Sequence, residues 1–199
     1  IKNLSEVCEA IFTGKTPARK EYTSKGHKIL KVRDLTNKGI SWDNRERAFV
    51  SQELFLKHQR LTLRVDDILL ISAAHHPKYI GEKIDIIDFI PERYKNGVIC
   101  SAELLVLRVK SKCIDPYYVL SFLKTRDGFN AIQACVRGQT AHIYPKDIRN
   151  IKIPIPPEEE LNKIRADLEN LKEFLRRKSK ANEDYLFSLN RLTKFLEES

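Results

Sequence analysis

Methionine is missing altogether from these 199 residues, the first position included, so the chain reads as a fragment or processed piece of a longer protein. No run of 18 apolar residues occurs, which leaves no candidate membrane span. The N-terminal Ile1-Lys2-Asn3-Leu4-Ser5-Glu6 has no signal-peptide hydrophobic region. Glycine is scarce, seven in all, and Gly14-Lys15-Thr16 lacks the earlier glycine of a phosphate-binding loop, because position 9 is Glu. Nucleotide binding there is excluded. The four cysteines (Cys8, Cys100, Cys113, Cys135) show no C-x-x-C spacing. They read as small buried hydrophobes in a reducing compartment, so a cytoplasmic location is expected and a zinc site is not. Neither a P-D…E-x-K nuclease pattern nor a G-x-S-x-G elbow is present. His75 and His76 are adjacent, which points their rings apart, and no carboxylate or cysteine lies at ligand spacing. No metal and no cofactor is expected.

What the chain does have is a distinctive C-terminal stretch. Pro154, Pro156 and Pro157 stop any sheet or helix, since proline lacks the N–H and locks φ. Glu158, Glu159 and Glu160 follow, where the positive end of a helix favours carboxylates. From there no Gly or Pro interrupts residues 158–199. Apolar residues recur at steps of three and four: Leu161, Ile164, Leu168, Leu171 and Leu175, then Tyr185, Leu189, Leu192 and Leu196. This 3.5-residue period predicts a coiled-coil seam. Such a helix is roughly 60 Å long at 1.5 Å per residue, about twice the width of a small domain. Most of it is therefore expected to stand clear of the head and pair with another helix. Lys178 and Asn182 interrupt the seam with polar groups. They either set the register of pairing or mark where the helix leaves its partner.

The net charge of +9 is unevenly placed. Residues 158–199 carry nine Lys/Arg and ten Asp/Glu, which leaves residues 1–157 with 27 basic and 17 acidic side chains, a net of +10. A basic head suits a polyanion such as nucleic acid. Its pattern is α+β, with strands dominant early and helices later. Residues 4–12 could be a short helix or a strand, and residues 13–17 form a loop. Residues 29–33 alternate like a strand, residues 34–39 turn, and residues 40–42 are extended. Residues 51–58 form a helix capped by Ser51. Residues 67–72 and 79–87 are strands joined by a loop at 73–78, and residues 98–100 and 103–109 add further strand. Asp115 caps a helix with Pro116 in its first turn, and a second helix covers about 127–136.

In this order the pieces resemble the target-recognition domain of Type I restriction–modification specificity subunits. The resemblance runs through Gly14-Lys15-Thr16-Pro17, Lys31-Val32-Arg33-Asp34-Leu35 and Asp66-Asp67-Ile68-Leu69-Leu70. It continues through Tyr79-Ile80-Gly81, Asp115-Pro116-Tyr117-Tyr118 and Gly138-Gln139-Thr140. Ile148-Arg149-Asn150-Ile151-Lys152-Ile153-Pro154-Ile155-Pro156-Pro157 then leads directly into the heptad helix. The resemblance implies a mixed-sheet target-recognition domain at 1–157 and a long coiled-coil spacer or dimerisation helix at 158–199. Such subunits carry two recognition domains separated by two antiparallel helices, so this chain looks like half of that design. Each domain reads half of a bipartite DNA site, and the helices set the distance and dock methyltransferase subunits. The family often has Gln soon after the proline run, where this chain has Glu158-Glu159-Glu160-Leu161-Asn162.

The implied activity is sequence-specific binding of double-stranded DNA without catalysis. The implied partners are methyltransferase and restriction subunits, with a second recognition domain or a homodimer through the helix, and no membrane. Loops held by strands are the natural reading elements. The first candidates are Lys15, Thr16, Arg19 and Lys20, and the second Arg33, Lys38, Arg45 and Arg47. The third are His75, His76, Lys78 and Tyr79, and the fourth Arg137, Gln139, Thr140 and His142. Lysine and arginine supply affinity on phosphates, while Gln and Arg can read base edges. Gln139 and Thr140 are favoured in their glycine-led loop. Asp115-Pro116-Tyr117-Tyr118 lacks the second proline of the D-P-P-Y motif of adenine methyltransferases, and no glycine-rich cofactor turn precedes it. It is read as a helix cap. Two other readings stand beside this one: a coiled-coil protein-interaction module with a basic head, and a catalytic methyltransferase fragment. A separate specificity subunit and the recognition region of a fused methyltransferase remain equally open.

Overall fold

The structure, a computed structural model, describes residues 1–44, 46–138 and 140–197. Strand β1 (Lys2–Asn3) leads into the one-turn helix α1 (Leu4–Val7) and on to strand β2 (Cys8–Thr13). The ambiguous stretch at 4–12 is thus both helix and strand. Leu4 and Val7 are buried, and the Glu6 carboxylate accepts from Asn3 N at 2.7 Å to close the turn. Strands β3 (Tyr22–Thr23), β4 (His27–Leu30) and β5 (Phe49–Val50) precede helix α2 (Gln52–Lys57). Ser51 caps α2 through its Oγ, which accepts from Leu54 N at 3.2 Å. The chain continues through β6 (Asp67–Ile71), β7 (Ala73–Ala74), β8 (Ile84–Ile86), β9 (Val98–Cys100) and β10 (Leu104–Val109). Helix α3 (Pro116–Leu123) is capped by Asp115 and α4 (Arg126–Gln133) by Thr125. The rest is β11 (Ala141–His142), α5 (Pro145–Ile148), β12 (Lys152–Ile153) and the 40-residue α6 (Glu158–Glu197).

Two four-stranded sheets form the head. One is antiparallel, in the order β2-β10-β6-β8, and the other runs β3-β5-β4-β9 with β4 and β9 parallel. Every residue of β6 and β10 is buried, so these central strands are apolar runs rather than alternating ones. The exception is an ion pair across the ladder. Asp67 faces Arg108 in register and receives two hydrogen bonds from it, at 2.8 and 2.7 Å.

Two expected strands are shorter than their sequence pattern. The run at 29–33 stops at Leu30, because Val32–Asp34 turns into a 3₁₀ helix, and residues 27–30 are all buried instead of alternating. The expected strand at 79–87 pairs only over β8. Its first part is broken by the 3₁₀ turn Pro77–Tyr79 and by Gly81 at φ +70°. A Cβ on Gly81 would also lie 2.7 Å from Ile132 Cγ2, so the reversal needs glycine.

Helix α6 corrects the expectation that most of its length stands clear. Leu168 and Leu175 pack partly buried against the head's core. Polar ties then follow along the same face. Arg176 donates to Asp88 O and to Asp66 Oδ1, each at 3.3 Å, and Ser179 Oγ donates to the Asp88 carboxylate. Lys178 Nζ donates to Lys38 O at 3.0 Å, and Glu183 pairs with Arg93. The polar interruption of the heptads is therefore a footing on the head. Heptad reasoning weighs apolar positions only, and these polar groups find their partners 88 to 140 residues earlier in the chain. Beyond the footing, Tyr185, Phe187, Leu189 and Leu192 are exposed, as are Leu171 and Phe174 before it. Leu161 and Ile164 are half-buried. The side chain of Leu196 lies outside the described residues. Among the described residues, no helix is long and apolar enough to cross a membrane.

Candidate nucleic-acid interface

A two-residue ribbon brings two of the four candidate loops together. β7 pairs with β11, placing Ala74 opposite Ala141 and Ala73 opposite His142. Arg137 and His142 close the second loop by exchanging backbone hydrogen bonds at 2.9 and 3.0 Å. The first loop is held from beneath by Gln133, whose Nε2 donates to Pro77 O and Ile80 O at 3.1 and 2.6 Å. His75, Tyr79, Thr140 and His142 then line one cleft of about 570 Å³ with Val32, Ala73 and Ala74. Tyr79 is exposed, with the Lys78 ammonium 5.0 Å above its ring. His142 stacks on Tyr144 with ring centroids 5.9 Å apart. His76 Nδ1 accepts from Lys78 N at 3.2 Å, and Arg137 pairs with Asp147 at 2.9 Å. Among the described residues, no group of His, Cys, Asp and Glu side chains could hold a metal ion.

The Lys15–Thr16 loop reaches the same cleft through Glu103, which also lines it. Thr16 Oγ1 donates to Glu103 Oε2 at 2.9 Å and accepts from Ala102 N at 3.0 Å. The loop sits directly on the backbone of 100–101, where a Cβ on Gly14 would lie 2.0 Å from Cys100 O. Only glycine permits that approach. Arg19 and Lys20 are exposed on the neighbouring 3₁₀ turn.

The second group adds cations around Tyr22 and Lys31. Arg33 pairs with Glu46 at 3.0 Å, and Arg47 holds a left-handed φ of +45°. Lys31 Nζ lies 4.2 Å from the Tyr22 ring centroid. Burial, and then the neighbouring charges of Arg33 and Arg47, hold the Lys31 ammonium below the usual lysine range. Burial, followed by the Glu103 charge, pushes the Tyr22 hydroxyl up. Crowded cations of this kind favour an incoming polyanion.

The structure separates Lys38 from this group. It lies against α6, its carbonyl receiving Lys178, in a pocket with Trp42 and Ser179. Arg45 and Gln139 lie outside the described residues. Sequence reasoning missed Glu103 in the cleft lining, Lys31 and Tyr22, whose charge and ring neighbour it, and the buried Lys28 of β4. Lys28 is fully buried, donates to Asn44 O and lies 5.5 and 5.6 Å from the Phe49 and Tyr94 ring centroids. Lysines spaced by three, at Lys25, Lys28 and Lys31, were the available signal, but which of them turns inward depends on the neighbouring strands.

Residues 1–183 match the family described as Type I restriction modification DNA specificity domain. The putative type I restriction enzyme MjaX specificity subunit of Methanocaldococcus jannaschii is 29% identical over 180 residues, covering 86% of this chain and 39% of that protein. The MjaVIII specificity subunit of the same organism is 36% identical over 80 residues, covering 39% of this chain and 18% of that protein. The chain thus spans about two-fifths or less of the length of these relatives. The crystal structure of the type I restriction-modification S subunit from M. genitalium is similar with TM-score 0.57 at 15% identity, covering 96% of this chain and 42% of that one. The HsdS subunit from Thermoanaerobacter tengcongensis gives TM-score 0.52 at 19% identity, covering 90% and 38%. At these identities the two structures share the fold.

Proposed function

The chain belongs to the Type I restriction modification DNA specificity domain family, and from that premise we propose that it reads half of a bipartite duplex DNA site for an adenine methyltransferase complex. The head, residues 1–157, is the reader. The helix from 158 onward is the spacer that pairs with a second helix, in the same polypeptide or in a second copy. Modification and restriction subunits are the protein partners and supply the chemistry, while this chain selects the sequence and is not itself catalytic. A cytoplasmic location goes with that role.

The observation that carries this reading is the convergence of candidate loops on one cleft. His75, Tyr79, Thr140 and His142 share it, and Glu103 links it to the Thr16 loop on a head of net charge +10. Lysines and arginines around the rim supply the salt-dependent attraction to phosphates, and the cleft supplies groups that meet base edges. Selection of bound duplexes from a random pool, with the partner helix present, tests it. One enriched half-site is expected, and a pool left without preference overturns the proposal.

A further inference from the structure

We propose that Glu103 is a base-discriminating residue, its carboxylate accepting a hydrogen bond from an exocyclic amino group and so selecting cytosine or adenine on the strand it faces. This rests on the reading of the cleft as the DNA interface. A carboxylate is out of place on a surface that must approach phosphates, because each like-charge encounter weakens binding. This one is nevertheless built in. It is half-buried in the turn immediately before β10, its carbonyl accepting from Ser72 N at 2.9 Å. Thr16 Oγ1 donates to Oε2 at 2.9 Å, and Thr16 is itself fixed by Ala102 N. Burial pushes the carboxyl up, but hydrogen bonds and the nearby Lys31 ammonium outweigh it and hold the group below the usual range. It is therefore ionised, and an ionised carboxylate only accepts.

The rest of the cleft sharpens the choice. Its lining is largely apolar, with Val32, Ala73 and Ala74 beside the aromatic His75, Tyr79 and His142. Glu82 also lines it, but that residue is exposed and no hydrogen bond orients its carboxylate among the described residues. In the major groove only cytosine N4 and adenine N6 offer a donor, whereas guanine O6 and N7 and thymine O4 are acceptors that an anion repels. A fixed acceptor facing one base pair thus admits two bases and rejects two.

The test is selection from a random duplex pool using the full chain in complex with its modification subunits, as wild type, Glu103→Ala, Glu103→Gln and Thr16→Val. Wild type is expected to confine one position to cytosine or adenine. Glu103→Ala should cost roughly tenfold in discrimination at that position alone, while affinity for random duplex rises because a repulsive charge is gone. Glu103→Gln, which adds a donor, should admit guanine or thymine there. Thr16→Val frees the carboxylate without removing it, so discrimination weakens with no gain on random duplex. Unchanged base preference in Glu103→Ala overturns the proposal, as does an equal loss on cognate and random duplexes in both the Glu103→Ala and Thr16→Val variants, the mark of a structural prop. A wild-type complex that enriches no sequence sinks the DNA-reading function itself and is a separate outcome.

Discussion

Lys28 has no exposed surface, and its ammonium is shared between the Asn44 carbonyl and two aromatic rings rather than a close carboxylate. Burial pushes it down to about 8, and the Arg33 and Arg93 charges add to this while Asp34 and Asp43 oppose it. Below pH 8 the folded protein therefore carries a buried charge that the unfolded chain keeps in water. Between about 8 and the ordinary lysine value near 10.5 the unfolded state binds more protons, so stability rises with pH across that window. Lys28→Met should be at least as stable as wild type at pH 7 and lack that rise, as thermal unfolding at several pH values would show. It should also weaken DNA binding several-fold, because the loop bearing Arg47 loses its inner tie. A binding constant equal to wild type would separate Lys28 from the interface. The Asp67–Arg108 pair behaves differently, because both charges are buried and satisfied, with Arg108 also donating to Thr62 O at 2.8 Å. Arg108→Leu strands a buried carboxylate and should cost about 3–5 kcal/mol in urea denaturation. Replacing both residues by leucine should recover most of that loss.

Secondary-structure elements show where sequence reasoning reaches and where it stops. The caps at Ser51 and Asp115 are legible because cap and helix are neighbours in the chain. The break at Gly81 is less so, since its cause includes Ile132, about fifty residues away. The candidate loops are recognisable as loops, but Glu103, Lys31 and Tyr22 join them through pairings that join distant segments. A ribbon of two residue pairs ties 73–74 to 141–142 and leaves no periodic trace. For α6, periodicity finds the helix and its apolar rows but not the Arg176, Ser179 and Glu183 footing. Beyond that footing Tyr185, Leu189 and Leu192 of the stripe are exposed, as Leu171 is before it. Leu189→Glu combined with Leu192→Glu should abolish association with a partner helix in sedimentation velocity. Because both side chains are exposed, head stability should shift by no more than about 0.5 kcal/mol per site. Retained association would place the pairing surface elsewhere on the helix.

At the scale of the whole molecule, a head of net charge +10 is joined to a helix of net −1, so under the proposed function the attraction to DNA falls to the head. Each phosphate that the head neutralises releases condensed counterions, and the logarithm of the binding constant falls by about 0.9 per contact for each unit of log salt. This gives phosphate contacts and base contacts different signatures. Lys15 lies in the loop that Thr16 anchors, among the cations Lys57 and Arg60 that surround His58 and, after burial, lower its proton affinity. Lys15→Ala should weaken cognate and random duplexes by the same factor and reduce the salt slope by about one. Gln139 follows Gly138 in the sequence, between Arg137 and His142. Its replacement by alanine should leave the slope nearly unchanged while altering which sequence is preferred. Titrations at several salt concentrations, on one cognate and one scrambled duplex, separate the two behaviours. If Gln139→Ala lowers affinity equally on both duplexes, that loop positions the head on the backbone, and base reading falls to the cleft residues alone.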